Sequence, residues 1–243
     1  MVRKILSFLT ACLVVGEAYG CTAFQLKAQD GALIYCRTME FGFRLDSNLL
    51  VVPRDLSFTG TAPEGASGLT WSVKYGYVGM NQSMDRLAVS DGMNEKGLVV
   101  ALLYLPGFAK FEPYDESRKD RTIGSWELGS FLLSTCSTVE EAKAALATVV
   151  VAQQPLPDAT GLPKHFILPV HFYLCDATGS VLIVEYVDGK RHEYKNPLGV
   201  LTNSPPFAWH LANLANCVNL SPVNVKELSL PDWKIRNLDQ IGR

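Results

Sequence analysis

Six cysteines and four histidines carry most of the chain's nucleophilic and metal-ligating capacity, and their positions single out one residue. The histidines, His165, His171, His192 and His210, form neither an HExxH nor an HxH arrangement, and no two cysteines stand at CxxC spacing. Zinc and dithiol redox sites need ligands at such short intervals, so no metal site and no cofactor are expected. Cys21 is set apart by what precedes it. Residues 1–20 read as Arg3 and Lys4, an apolar run over 5–16, then Glu17, Ala18, Tyr19 and Gly20, with small residues where a signal peptidase reads the chain before Cys21. A cut there exposes a first residue that holds a thiol and a free α-amine together. The amine has a reference pKa of roughly 7.7 to 8.0. Near neutrality it can take the thiol proton directly or through one water, so this nucleophile needs no separate His–Asp pair. From position alone, a disulfide half or a buried thiol weighs evenly against that chemistry.

The apolar run over 5–16 falls short of the roughly 20 residues that span a bilayer. Residues 1–20 are therefore expected to be a cleaved secretory signal, leaving 21–243 as one domain, exported to a bacterial periplasm or secreted, with no membrane association afterwards. A rival reading is a lipoprotein acylated at Cys12, which follows Leu9, Thr10 and Ala11. Acylation at Cys21 itself fits less well, since Ala18 and Tyr19 are poor matches to the residues that precede a lipidated cysteine. Removing 1–20 takes Cys12 away and leaves Cys21, Cys36, Cys136, Cys175 and Cys217, an odd set, so at least one thiol stays unpaired in an oxidising compartment. With 22 Lys and Arg against 24 Asp and Glu, net charge −2, no basic footprint for nucleic acid or anionic membrane is present. A length of 243 residues with 48% hydrophobic content suits a single large core.

The elements that must position Cys21 follow from period and punctuation. Residues 22–28 and 32–38 alternate around Asp30-Gly31 and read as a hairpin. Strands are expected at 49–52, 75–80, 87–93 and 98–105, with Asn94-Glu95-Lys96-Gly97 as a turn whose Gly97 suits positive φ; 57–69, rich in Ser, Thr, Gly and Pro, reads as a surface loop. Ser125 is placed as the cap of a helix through Leu133, and Ser137 to Glu140 has capping-box spacing before a helix over 141–150. After a loop at 155–163, strands at 171–175, 181–186, 191–194 and 199–203 form an antiparallel meander; 207–217 reads as a helix and the remainder as loop. Strands, then helices, then strands indicate an α+β fold of stacked antiparallel sheets.

Four separated motifs, in order and in register, then break the tie at Cys21. Cys21-Thr22-Ala23-Phe24, Cys36-Arg37-Thr38-Met39-Glu40-Phe41, Asp91-Gly92-Met93-Asn94-Glu95-Lys96-Gly97-Leu98 and Leu201-Thr202-Asn203-Ser204-Pro205 together resemble the choloylglycine hydrolase and penicillin V acylase family. The resemblance implies an N-terminal nucleophile hydrolase with an αββα sandwich, cleaving linear non-peptide amide bonds of small N-acyl amides through a thioester on Cys21. It implies Arg37 as the charge beside the nucleophile, where a permanently protonated guanidinium stabilises a thiolate. Glu40 stands where many relatives carry Asp to hold the α-amine, one methylene longer here. Asn203 matches the asparagine whose amide helps bind the oxyanion, and the Tyr104 backbone N–H would be the second donor. Tyr104 also tilts substrate choice toward phenoxyacetyl amides, because bile-salt-cleaving relatives have Asn there. Acyl selectivity is expected from the loops after Phe41, around 75–84, and over 105–111.

Family members continue past the point where this chain stops, so the sandwich is expected to be incomplete at its C-terminus, with apolar sheet faces uncovered. Neither Arg236 nor Arg243 stands in the context of the further arginine found there in relatives. The alternative function is an exported binding or structural domain, or a lipoprotein, that keeps the fold without catalysis. The reading is compatible with a homo-oligomer.

Overall fold

The structure, a computed structural model, describes residues 20–40, 47–81, 88–156 and 165–217, with the backbone of two further strands at 227–230 and 233–236. The signal segment before Gly20, the loop after Phe41 and most of the 155–163 loop lie outside the described residues. Two compact units divide the chain, Met1–Phe207 and Ala208–Arg243.

In the first unit the strands are β1 (Thr22–Lys27), β2 (Leu33–Thr38), β3 (Leu49–Val52), β4 (Ser57–Thr61), β5 (Ser67–Ser72), β6 (Tyr77–Asn81), β7 (Val89–Asn94), β8 (Val99–Tyr104), β9 (Thr122–Ile123), β10 (Val150–Val151), β11 (Val170–Cys175), β12 (Val181–Val187), β13 (Lys190–Lys195) and β14 (Val200–Leu201). Helices α1 (Leu128–Thr135) and α2 (Val139–Leu146) lie between β8 and β11 in the chain. A seven-stranded, wholly antiparallel sheet has the order β13-β12-β11-β8-β7-β6-β3, and a three-stranded sheet has the order β14-β1-β2. The α+β class with stacked antiparallel sheets is therefore as expected.

Strand β8 shows how the layers stack. Val100 and Leu102 point into a core shared with Leu128, Leu132 and Leu133 of α1, whereas Val99, Ala101 and Leu103 point the other way, into a core shared with Cys21, Ala23 and Leu201. A strand covered on both faces reads as an unbroken apolar run, as Val99–Tyr104 does. Helices thus cover one face of the large sheet and the small sheet covers part of the other.

Three local expectations are corrected. The Ser/Thr/Gly-rich stretch at 57–69 is not a loop: β4 and β5 pair antiparallel. Alternation decides it, since Phe58 and Trp71 are buried opposite each other and Trp71 meets Phe131 edge-on at 5.6 Å, while Thr59 and Thr70 face out. Its glycines serve close approach, for a Cβ at Gly68 would lie 2.1 Å from the Thr122 carbonyl oxygen. Ser125 does not cap α1, which starts three residues later from Glu127; the buried Glu127 carboxylate instead accepts from the N–H groups of Gly124 and Thr61. The second capping box is shifted by one. Thr138 accepts from Glu141 N–H at 3.1 Å and the Glu141 carboxylate accepts from Ser137 N–H at 2.7 Å, and α2 ends at Leu146, before β10.

The second unit contains most of α3 (Phe207–Leu214), a turn of 3-10 helix at Ala215–Cys217 and a hairpin of β15 (Glu227–Leu230) with β16 (Trp233–Arg236), where the sequence reads as loop.

Candidate active site

The hairpin β1–β2 decides which side chains meet. Its register pairs Thr22 with Thr38 and Ala23 with Arg37. Side chains alternate along a strand, so Ala23, Tyr35 and Arg37 share the inward face, and Cys21 and Met39 continue it at the hairpin's open end. Cys21 is 3% exposed and Ala23 fully buried, with Tyr35 and Met39 packed on the same core.

β14 pairs with β1 through Ala23 and Leu201, which brings the next residues, Thr202 and Asn203, alongside Cys21. The Cys21 main chain is held at both ends. Its N–H donates to Asn203 Oδ1 at 2.6 Å, and its carbonyl accepts from Thr202 Oγ1 at 3.0 Å. The Cys21 thiol lies 3.9 Å from the Glu40 carbonyl oxygen. Asn203 Nδ2 donates to the Tyr104 carbonyl at 2.7 Å, so one side-chain amide ties the end of β8 to the nitrogen of Cys21. That nitrogen is the peptide N–H following Gly20, and an asparagine oriented with Oδ1 toward it and Nδ2 toward a carbonyl satisfies both neighbours.

Arg37 crosses from the small sheet to the large one. Its guanidinium donates to the Ser90 carbonyl at 2.6 Å, to Asp91 Oδ2 at 3.2 Å and to the Leu102 carbonyl. The Arg37 and Asp91 side chains are 7% and 16% exposed, making this a largely buried ion pair. Tyr35, two residues before Arg37 on the same face, donates its O–H to the same Asp91 oxygen at 2.6 Å. Burial pushes the Asp91 carboxyl above its ordinary value, although Tyr35 and Arg37 both pull it down. Burial, reinforced by Asp91, raises Tyr35 far above the ordinary phenol, which keeps it a neutral donor. Nε of Arg37 is buried with no hydrogen-bond partner among the described residues.

Of the five residues singled out in the sequence, Cys21, Asn203 and the Tyr104 main chain are joined by hydrogen bonds, and Arg37 stands on the face Cys21 continues. Tyr104 presents its carbonyl to Asn203 and its side chain is half-buried. Glu40 is at the site through its backbone carbonyl, while its side chain is exposed. Among the described residues no cluster of His, Cys, Asp or Glu could hold a metal, no helix is long and apolar enough to cross a membrane, and the cysteines are free thiols.

Sequence reasoning missed four partners. Tyr35 and Asp91 lie within or beside the motifs quoted, and the signal for Tyr35 was its even spacing from Arg37 on one strand face. His171 and Glu185, both fully buried, sit in the apolar strands β11 and β12, where a lone polar side chain in a buried run is itself a signal.

Comparison with known proteins agrees with this arrangement. Residues 21–242 match the model of the linear amide C–N hydrolases, choloylglycine hydrolase family. A bile salt hydrolase/transferase of Clostridium perfringens is 32% identical over 221 residues, covering 90% of this chain and 64% of the relative. The crystal structure of a mutant conjugated bile acid hydrolase from Clostridium perfringens superposes with TM-score 0.73 at 30% identity, over 90% of this chain and 64% of that one. A penicillin V acylase from Agrobacterium tumefaciens gives TM-score 0.67 at 28% identity, over 83% and 58%. The chain thus spans somewhat less than two thirds of the length of these relatives.

Proposed function

The chain belongs to the choloylglycine hydrolase family of linear amide C–N hydrolases, and on that premise we propose that it is an exported amidase whose nucleophile is Cys21, freed as the first residue by removal of residues 1–20. The sulfur attacks the carbonyl carbon of an N-acyl amide while the α-amine takes the thiol proton. The same amine, now an ammonium, protonates the leaving nitrogen as the C–N bond breaks. Water, deprotonated by the amine, then hydrolyses the thioester, and the proton returns to the thiol. No cofactor enters the cycle.

The observation that carries this reading is the 2.6 Å contact between Cys21 N and Asn203 Oδ1. A nitrogen that ended its life as an ordinary peptide N–H would need no dedicated asparagine 182 positions away. Cut after Gly20, that nitrogen becomes the base, already held beside a sulfur in a largely buried setting. Asn203 also supplies the amide N–H nearest the reacting carbonyl, and a preorganised donor to a developing oxyanion is worth roughly 3 kcal/mol. Arg37 supplies positive charge on the same side of the hairpin, anchored by Asp91 so that it is fixed in place. Glu40, next to the thiol through its carbonyl, is assigned as the carboxylate partner of the ammonium, a contact that favours the charged amine and so raises its pKa. Tyr104 favours an aryloxyacetyl group over a steroid acyl group in the adjoining pocket.

Intact-mass analysis of the exported protein tests the proposal. A mature form beginning at Cys21, gaining the acyl mass on exposure to penicillin V or a chromogenic phenoxyacetyl amide, is expected, and Cys21→Ser should lower turnover by at least about 10³-fold with the fold retained. Turnover by a form that still carries residues 1–20, or by Cys21→Ser at the wild-type rate, removes the mechanism. A panel pairing phenoxyacetyl amides with glycine-conjugated bile acids reads the substrate preference.

A further inference from the structure

Beneath the Cys21 layer, on the face of the large sheet that the small sheet covers, His171 of β11 and Glu185 of β12 stand side by side, both fully buried. His171 Nδ1 lies 2.8 Å from Glu185 Oε1, and Nε2 lies 2.8 Å from the Thr202 carbonyl oxygen. A carbonyl can only accept, so Nε2 carries a hydrogen and donates it to Thr202, and the carboxylate faces the other ring nitrogen. Glu185 Oε1 also accepts the Phe207 N–H at 2.9 Å. The pair therefore grips the chain on both sides of one short segment, at Thr202 and at Phe207. Within that segment lie the two side chains that hold Cys21, with Thr202 Oγ1 on its carbonyl and Asn203 Oδ1 on its nitrogen.

Such a pair is a costly way to fill a core. Both groups are stripped of water, and Glu185 Oε2 has no hydrogen-bond partner among the described residues. Apolar residues of the same volume often serve a core as well or better, so a buried ion pair is better understood by the conformation it fixes than by the stability it adds. Here the conformation fixed is that of a strand end bearing an amide that must stay within hydrogen-bonding distance of the nucleophile's nitrogen.

We propose that His171 and Glu185 are positioning residues for Cys21, acting through Thr202 and Asn203. The role in turnover rests on the amidase reading above; the mechanical coupling does not. Neither residue touches the reacting atoms. Removing the imidazole lets residues 202–203 drift, Asn203 loses its aim, and the sulfur, held at 3% exposure, opens to solvent.

The test is a double-mutant cycle of His171→Leu and Asn203→Ala in the full chain expressed with its leader, with two readouts. The first is site-resolved alkylation by iodoacetamide, comparing Cys21 with Cys136, which is 2% exposed in the other core against α1. The second is the split between kcat and KM on a chromogenic phenoxyacetyl amide. His171→Leu should speed alkylation of Cys21 about 10-fold and leave Cys136 unchanged, and should lower kcat by about 10- to 100-fold with KM within about twofold, as misplacement of an aligned group does. Adding Asn203→Ala should change little more, because both substitutions break one linkage. His171→Gln, which keeps an N–H for the Thr202 carbonyl, should recover most of the loss. Cys21 and Cys136 accelerating together, or effects that multiply in the double variant, overturn the proposal and leave the pair as general support of the fold. Where His171→Leu does not fold, Glu185→Gln, matched in volume, takes its place in the cycle under the same criterion. A wild-type chain that turns over no amide but shows the selective, non-additive alkylation removes the amidase reading and leaves the positioning role standing.

Discussion

The inner face of the seven-stranded sheet is apolar along its whole width, yet its two halves live in different surroundings. Over β8, β11 and β12 the small sheet buries it, and Val99, Ala101, Leu103, Tyr173, Cys175 and Ile183 are at most 2% exposed. Over β3, β6 and β7 the same cross-strand rows continue, Ala101 to Asp91 to Met80 to Leu49 and Val99 to Met93 to Val78 to Val51. Here Leu49 and Val51 are 71% and 74% exposed, and Val78, Met80 and Met93 are between 41% and 46%. Each half carries an arginine–carboxylate pair. Arg37–Asp91 is largely buried at the boundary of the covered half, whereas Arg54–Glu95 lies open at the far edge. Alternation writes an apolar face into a strand, but the cover decides whether polar groups on that face are held rigidly enough to build a site.

Large-to-small substitution should separate the halves most sharply. Leu103→Ala, at a fully buried position, is expected to cost in the upper half of about 2–5 kcal/mol. Leu49→Ala, the same change in chemistry, should fall within about 0.5 kcal/mol. Urea midpoints at constant m-value measure both. Similar losses at the two positions would mean that the Leu49 row is covered in solution, and sedimentation would then show whether a second copy covers it.

The next effect in size concerns the ion pairs. Asp91→Ala leaves Arg37 buried without its counter-charge, which calls for a loss toward the low end of about 3–5 kcal/mol, since the desolvated carboxylate is removed at the same time. Arg54→Ala should leave the midpoint unchanged within error, because an exposed pair is screened by water and salt. A large loss from Arg54→Ala would show that the open edge is more protected than its exposure suggests.

This contrast also explains what could be read from the chain without a structure. The β1–β2 hairpin, the Asn94 to Gly97 turn with Gly97 at φ 83°, and the middle placement of the helices were legible, because each depends on neighbours in sequence. Cys21, Arg37 and Asn203 were legible only as members of motifs, since what joins them is strand pairing across as many as 182 positions. The 57–69 stretch misled because Ser, Thr and Gly suit loops, whereas Phe58 and Trp71 found a hydrophobic partner in Phe131 that composition does not reveal. His171 and Glu185 were hidden for the opposite reason: a polar residue in an apolar run has meaning only once its partner on the neighbouring strand is known. Glu40 shows the limit of motif reasoning, because its place in the motif predicts a carboxylate at the site while the observed contact is through its carbonyl.

The smallest effect is also the most discriminating, because its sign differs between the halves. Hydrogen bonds from Arg54, then from the Gly76 backbone, hold the exposed Glu95 carboxyl down at about 2. A group depressed in the fold contributes stability above its unfolded value, and that contribution is lost as pH falls toward about 2. Asp91 is raised, chiefly by burial, so its contribution is complete in acid and is lost as pH rises through its folded value. Relative to wild type, Glu95→Gln should therefore lose Tm as pH is raised from 2 to 6, whereas Asp91→Asn, a permanently neutral stand-in, should gain. High salt should flatten the Glu95→Gln slope, because the pair is exposed, and leave the Asp91→Asn slope largely intact, because buried groups are poorly screened. Melting curves across that pH range at low and high salt measure both slopes. Slopes of the same sign would mean that Asp91 is solvated rather than sealed beneath Tyr35 and Arg37, and the clamp that orients Arg37 beside Cys21 would then have to be abandoned.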